Sequence, residues 1–408
     1  MKLFTDIAEL FTLQKAAEKS GRKVSFEDLS LIRKAAFVTQ NEKFVWVGEK
    51  SKIPKEFKNI RKEISLKGAT VLPGFVESHT HLLFGGSRAA EFDQRNQGVS
   101  YQEIAKQGGG ILSTIKNTRK AKPAELLKIG QERVDEYIRQ GVTTVEAKSG
   151  YALTFEGEKK LLRAAKQLKK IRIVNTYMGP HALPPEFKTT SAYLDHIIQN
   201  DLPKLKSLAS RVDIFVENGF FSKQEGQKYF KAAKELGFAL SVHSDQLSLS
   251  GGADLAVEFA AQSADHLIQI GANQIVKLAK SNVTCTLLPA SDLYMKCAYP
   301  PARALIDQGA RVALATDYNP GTCPTQDLSL VGVLARIEMK MSLPEVIAGY
   351  TINGAHALGL EAEMGSLEVR KQANFIVLQN GLDELFYQVG RSPVRETWFG
   401  SKKVFAFI

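Results

Sequence analysis

The sequence predicts an α/β fold, a (β/α)8 TIM-like barrel with a small β-sandwich domain formed by both chain ends. Three observations predict it. Across residues 71–365, eight short apolar runs alternate with longer stretches of helical periodicity, as parallel β/α units require. Residues 1–70 and 366–408 instead carry short strand-like runs, too few at either end to form a sheet alone. Polar residues gather where the apolar runs of the middle stop, and barrels of this kind do their chemistry at the carboxyl ends of the strands.

Taken in order, Ala36-Phe37-Val38-Thr39 and Phe44-Val45-Trp46-Val47-Gly48 are strand-like, and helical patterns are weak before residue 70. The eight middle runs end near His81, Lys148, His181, Glu217, His243, His266, Pro289 and Asp317. Ala124–Gln140, Lys223–Leu236 and Asp254–Ala261 between them fit helices. Gly108-Gly109-Gly110 lacks the lysine and following Ser/Thr of a phosphate loop, and reads as a helix end with close backbone approach. Ala373-Asn374-Phe375-Ile376-Val377-Leu378 and the segment from Val394 to Ile408 return to strand character.

A length of 408 residues suffices for a large core, and no apolar run approaches the roughly 18 residues of a membrane-spanning helix. Met1–Asp6 lacks the order of a secretory signal, and Cys285, Cys297 and Cys323 form no CxxC, so a reduced, cytoplasmic setting is expected. The net charge of +11 raises nucleic acid and anionic membrane as partners. The lysines, however, are scattered along helix-like stretches such as 158–170, and no basic run is interleaved with aromatics. Neither partner is expected; a positive surface suits a small anionic substrate.

His79 and His81, two apart at the end of Val71-Leu72-Pro73-Gly74-Phe75-Val76, project to one side of an extended chain. Alone they fit a strand cap as well as a metal site. Of seven histidines, five stand at predicted strand ends; His196 and His356 lie in helix-like contexts and receive no role. The fifth run delivers His243, followed by Asp245 and Gln246, and the eighth delivers Asp317. Together they make a three-histidine, one-aspartate set that accepts zinc or iron(II) equally. By itself Asp317 also fits a turn before Asn319-Pro320-Gly321. A divalent ion there would bring the pKa of water toward neutrality. His266 ends the sixth run, where it can serve as general base or steady a developing oxyanion. Glu217, not lysine, ends the fourth run, and Lys148 ends the second, so no bridging carboxylated lysine is placed for a second ion. Arg88 suits bidentate capture of a carboxylate. Tyr151 and His181 lie on Gly- or Pro-flanked loops, and 319–322 offers backbone N–H groups and the Thr322 hydroxyl to another anionic group.

With these residues in place, the chain resembles the amidohydrolase superfamily and, within it, the imidazolonepropionases of histidine degradation. The resemblance runs nearly the full length. It rests on Pro-Gly-Phe-Val-Glu-Ser-His-Thr-His (73–81), Ser-Tyr-Gln-Glu-Ile-Ala (100–105), Gly-Val-Thr-Thr-Val-Glu-Ala-Lys-Ser-Gly-Tyr (141–151), His-Ser-Asp-Gln (243–246), Ser-Ala-Asp-His (263–266) and Leu-Ala-Thr-Asp-Tyr-Asn-Pro-Gly-Thr (314–322). It implies hydrolysis of 4-imidazolone-5-propanoate to N-formimino-L-glutamate. It implies one divalent ion on His79, His81, His243 and Asp317. It implies substrate contacts from Arg88, Tyr151, His181, Gln246, Asn319, Gly321 and Thr322, with His266 beside the attacking water and His266 and Asp317 relaying its proton. It allows a homodimer, without an interface signature in the sequence. Two departures stand out. Gln246 replaces a glutamate of some relatives and cannot carry a proton at neutral pH, and Arg370 replaces a usual glycine in the small β domain.

Two rivals remain at this level. A nucleobase-type aminohydrolase would share the ligands, but Gln246 lacks the proton-carrying carboxylate such deaminases generally use. A scaffold protein would have lost ligands, and all four are present.

Overall fold

The computed structural model describes residues 1–99, 103 and 108–407; of the motif at 100–105 only Glu103 lies inside that set. The chain opens with β1 (Lys2–Phe11), β2 (Leu31–Gln40), β3 (Lys43–Glu49) and β4 (Glu63–Pro73). The barrel strands follow: β5 (Phe75–Glu77), β6 (Val142–Lys148), β7 (Arg172–Tyr177), β8 (Arg211–Val212), β9 (Phe215–Val216), β10 (Ala239–Ser244), β11 (Ser263–His266), β12 (Thr284–Leu287) and β13 (Arg311–Leu314). Then come β14 (Phe375–Leu378), β15 (Val394–Phe399) and β16 (Lys402–Ala406).

Both chain ends build one mixed sheet in the order β16-β15-β14-β4-β1-β2-β3, as predicted. It is a single sheet, strongly curled. Phe37 on β2 and Phe375 on β14 are three strand positions apart, about 14 Å in a flat sheet. Their ring centroids nevertheless lie 5.0 Å apart, so the two halves of the sheet face each other across a shared aromatic core. Pairing of Phe375 with Pro73 fastens the chain end to the strand that leads into the barrel.

The barrel runs β5-β6-β7-β8-β10-β11-β12-β13, with every pairing parallel. Strands β8 and β9 are two halves of one stave, interrupted at Asp213-Ile214: β8 pairs with the start of β10 and β9 with its end. Backbone contacts close the ring between the first and last staves, from Asp317 N–H to His79 O at 3.1 Å and from His81 N–H to Tyr318 O at 2.9 Å. Below this seam the Glu77 carboxylate accepts the Thr316 N–H. The eight staves therefore stand where the apolar runs predicted them. Several predicted ends overshoot the strands: β5 stops at Glu77, β7 at Tyr177 and β13 at Leu314, leaving His79, His81, His181 and Asp317 on the chain just beyond.

Helices cover the barrel. The helix Phe155–Gln167 starts where the Thr154 hydroxyl accepts the Gly157 N–H, and it buries Leu161, Leu162, Ala164 and Ala165 at helical spacing. Glu158 on the same helix is buried because its carboxylate accepts the N–H groups of Gly150, Ala152 and Leu153, which fixes the loop bearing Tyr151. Lys223–Glu235 begins with a Ser222–Glu225 capping box. Gly110, at φ +73, caps the start of Ile111–Lys120, which makes the glycine run a helix end as predicted. The expected close approach is missing at Gly108, where an added Cβ would meet nothing within 4 Å among the described residues. Among those residues no helix is long and apolar enough to cross a membrane.

Candidate metal centre and substrate cavity

Four donor atoms converge at the mouth of the barrel. His81 Nε2 and His243 Nε2 are 3.2 Å apart. Asp317 Oδ1 lies 3.5 Å from His79 Nε2 and 3.7 Å from His81 Nε2. All four residues are buried, and His79 Nε2 has no hydrogen-bond partner among the described residues. Tetrahedral N/O ligation at about 2.1 Å puts donors about 3.4 Å apart. The set therefore fits a divalent ion, and such an ion would satisfy the orphaned nitrogen.

The rings are held from behind. His79 Nδ1 meets Asp265 Oδ2 at 2.7 Å, and His243 Nδ1 meets Asp213 Oδ1 at 3.0 Å. A carboxylate on the rear nitrogen fixes ring orientation and raises the basicity of the other nitrogen. Both carboxylates share one cation. Lys148 Nζ lies 2.7 Å from Asp213, 3.6 Å from Asp265 and 2.9 Å from Glu146, with all four side chains buried. Burial disfavours the Lys148 charge, but Asp213, Glu146 and Asp265 overcome it and hold the ammonium protonated. For Asp317 burial pushes upward, yet the nearby His79 imidazole, with His266 and His243, brings it to about 2. The carboxylate is ionised and ready to bind a cation.

His266 stands beside the set. Its ring centroid is 5.2 Å from that of His243 and 5.6 Å from that of His79. Burial lowers it to about 3 against the pull of Asp317, so the imidazole is neutral. His266 and Asp317 both have left-handed backbone, φ +76 and +53, in a region non-glycine residues rarely occupy. Such strain gathers at active sites.

Above the donors opens a cavity of about 410 Å³. Its wall includes Arg88, Tyr151, His181, Gln246, Asn319 and Thr322, so the structure brings these predicted contacts together. The His181 ring stacks on His81 with centroids 5.0 Å apart, and the Tyr151 ring lies tilted against it at 5.4 Å. Burial lowers His181 to about 4, and its Nδ1 binds Gly150 O at 2.9 Å. Gly150 sits at φ +101, and a Cβ there would press on Met178 O, so glycine is needed. Gly321 stays off the wall itself, behind Arg88. The expectation that 319–322 presents free N–H groups is corrected. Asn319 Oδ1 accepts both the Gly321 and Thr322 N–H groups, and its amide donates to Asp317 O. Asparagine before Pro-Gly-Thr folds the loop on itself, and the N–H groups are spent on that turn.

Sequence reasoning missed Asp213, Asp265, Glu146, the role of Lys148, and Arg95, which lines the cavity. Their signal was parity: Glu146 and Lys148 are two apart on a buried strand, and Asp213 interrupts an apolar run. Glu217, at the place of a bridging lysine, accepts the Leu247 and Ser248 N–H groups and braces the loop after Gln246. His196 is exposed at a helix end, and His356 is half-buried near Glu361; neither approaches the site.

Residues 70–405 match the Amidohydrolase family. The chain is 56% identical over 407 residues to the imidazolonepropionase of Bdellovibrio bacteriovorus, covering 99% of this chain and 96% of that one. The chain belongs to the imidazolonepropionase family. A second member, from Acinetobacter baumannii, is 39% identical over 385 residues, 92% of this chain and 96% of its own. More distant likenesses show the fold alone. A zinc-bound adenosine deaminase from Xanthomonas campestris superposes with a TM-score of 0.73 at 17% identity, covering 99% of this chain and 92% of that one. Escherichia coli guanine deaminase gives 0.74 at 14%, covering 100% and 99%.

Proposed function

We propose that this protein hydrolyses the ring amide of 4-imidazolone-5-propanoate to N-formimino-L-glutamate, with one zinc or iron(II) ion held by His79, His81, His243 and Asp317. The observation that carries the reading is one cavity lined by His81, His243 and Asp317, with His79 within 3.5 Å of Asp317 and guanidinium groups in its wall. The substrate assignment draws on the relatives, whose similarity runs over nearly the full length of the chain. When bound, a divalent ion would supply an acidic water and a positive charge beside the ring carbonyl.

The protein's own residues do the rest. Arg88 holds the propionate carboxylate, setting which end of the substrate faces the histidines. Tyr151 and His181 confine the ring and exclude water from the side of the cavity nearest His81. Gln246 donates and accepts hydrogen bonds with the ring amide; its side chain reaches Met295 Sδ at 3.4 Å at the cavity edge. Neutral His266 takes the proton of the attacking water, and Asp317 steadies it on the way to the departing ring nitrogen. Three free thiols and a small-molecule cavity accord with a cytoplasmic enzyme.

The test is to give metal-loaded protein imidazolone propionate and follow substrate absorbance and products. Decay above the spontaneous rate, with formiminoglutamate and no ammonia, is expected. Decay only at the spontaneous rate overturns the substrate; ammonia release turns the reading toward a deaminase.

A further inference from the structure

Arg88 flanks the start of the helix Ala89–Asn96. Its Nε donates to Glu91 Oε2 at 2.7 Å, and the same oxygen accepts the Gly110 N–H at 3.1 Å. Glu91 thus ties the arginine to the first residue before the helix Ile111–Lys120. Exposed i, i+3 ion pairs are common and worth little. This one differs in two ways. The side chains are only 11% and 14% exposed. On its other side the guanidinium lies against Gly321, where an added Cβ would collide with Arg88 Nη1. The Gly321 carbonyl accepts from Arg95 Nη2 at 3.1 Å, which holds that stretch of backbone in place.

A guanidinium gripped through Nε keeps its two terminal nitrogens for a partner, and fork-to-fork pairing with a carboxylate works only if that edge points correctly. We propose that Glu91 is a positioning residue, which holds Arg88 by Nε so that its Nη edge faces the substrate carboxylate, with Gly321 leaving the space this needs. The inference rests on the reading of Arg88 as the carboxylate anchor.

Steady-state kinetics of the metal-loaded wild type, Arg88→Met, Glu91→Ala and Glu91→Gln test it on two substrates: imidazolone propionate, and the same ring bearing an ethyl group in place of the propionate. On the natural side chain, Glu91→Ala should raise KM about tenfold with kcat nearly unchanged. Glu91→Gln should recover part of the loss, because its amide oxygen still accepts from Nε. On the ethyl analogue the wild type and Glu91→Ala should coincide. If Arg88→Met raises KM and Glu91→Ala does not, the role of Glu91 is overturned and the anchor stands. If Arg88→Met leaves KM unchanged, the anchor reading itself falls. Equal losses by Glu91→Ala on both substrates mark a general structural effect and also overturn the proposal.

Discussion

The molecule buries two cores of opposite character. The curled sheet of the chain ends closes over rings: Phe37 lies 4.8 Å from Phe4, 5.3 Å from Phe44 and 5.0 Å from Phe375, all fully buried. Beneath the barrel mouth the interior is ionic, with Lys148 among Asp213, Asp265 and Glu146 and two histidines beyond them. The aromatic core gains free energy from every contact. The ionic one must overcome a desolvation cost of several kcal/mol per ion, which apolar packing would avoid. A barrel that needed only stability would have no use for it. Its shape follows the demands of the site instead: Asp265 faces His79, Asp213 faces His243, and the Lys148 ammonium bridges the two carboxylates.

The comparison breaks most visibly at a ligand. His243→Ala should take turnover of imidazolone propionate down to the spontaneous rate while the chain stays folded by circular dichroism; retained activity would refute the ligand set. In the other core, Phe37→Ala should cost about 3–5 kcal/mol of stability, read from the urea midpoint, with kcat and metal content of the folded protein unchanged. Lys148→Met touches no donor, yet should weaken metal binding about 10–100-fold in chelator competition, because both orienting carboxylates lose their cation. Lowered stability with unchanged metal affinity would make the ionic core merely another packing solution. The smallest effect concerns pH. His266 is held neutral in the folded protein, with a pKa of about 3 against 6.5 for the free side chain. Below about 6.5 the unfolded chain takes up a proton that the folded one refuses, so this stability is full above 6.5 and falls toward pH 3. Urea unfolding of metal-free protein should lose less stability between pH 6.5 and 4 in His266→Gln than in the wild type, by about one proton's worth of slope. Equal slopes would place the titration elsewhere.

The sequence made the donors legible because each follows an apolar run, and a barrel collects such ends at one rim. His79 and His81 declared themselves by their spacing, His243 by its place near the end of β10 and Asp317 by its place after β13. What supports them was less legible. The hold of Asp265 on His79 depends on which strands neighbour each other, and Asp213, though it interrupts an apolar run, reaches His243 only through the pairing of β8 and β9 with β10. Strand ends were overestimated because extended, buried residues continue past the last ladder bond, as 78–81 do beyond β5. The loop 319–322 was misjudged in one respect: a sequence rich in potential donors was read without asking whether Asn319 would use them itself.

One titration bears most directly on the claim that these donors form a single functional centre. Stripped of metal by chelator and given zinc or iron(II) in steps, the wild type should gain imidazolone propionate hydrolysis linearly up to one equivalent and no further, while His243→Ala neither retains the ion nor gains activity. Full activity in the stripped protein, or a break at two equivalents, would contradict it.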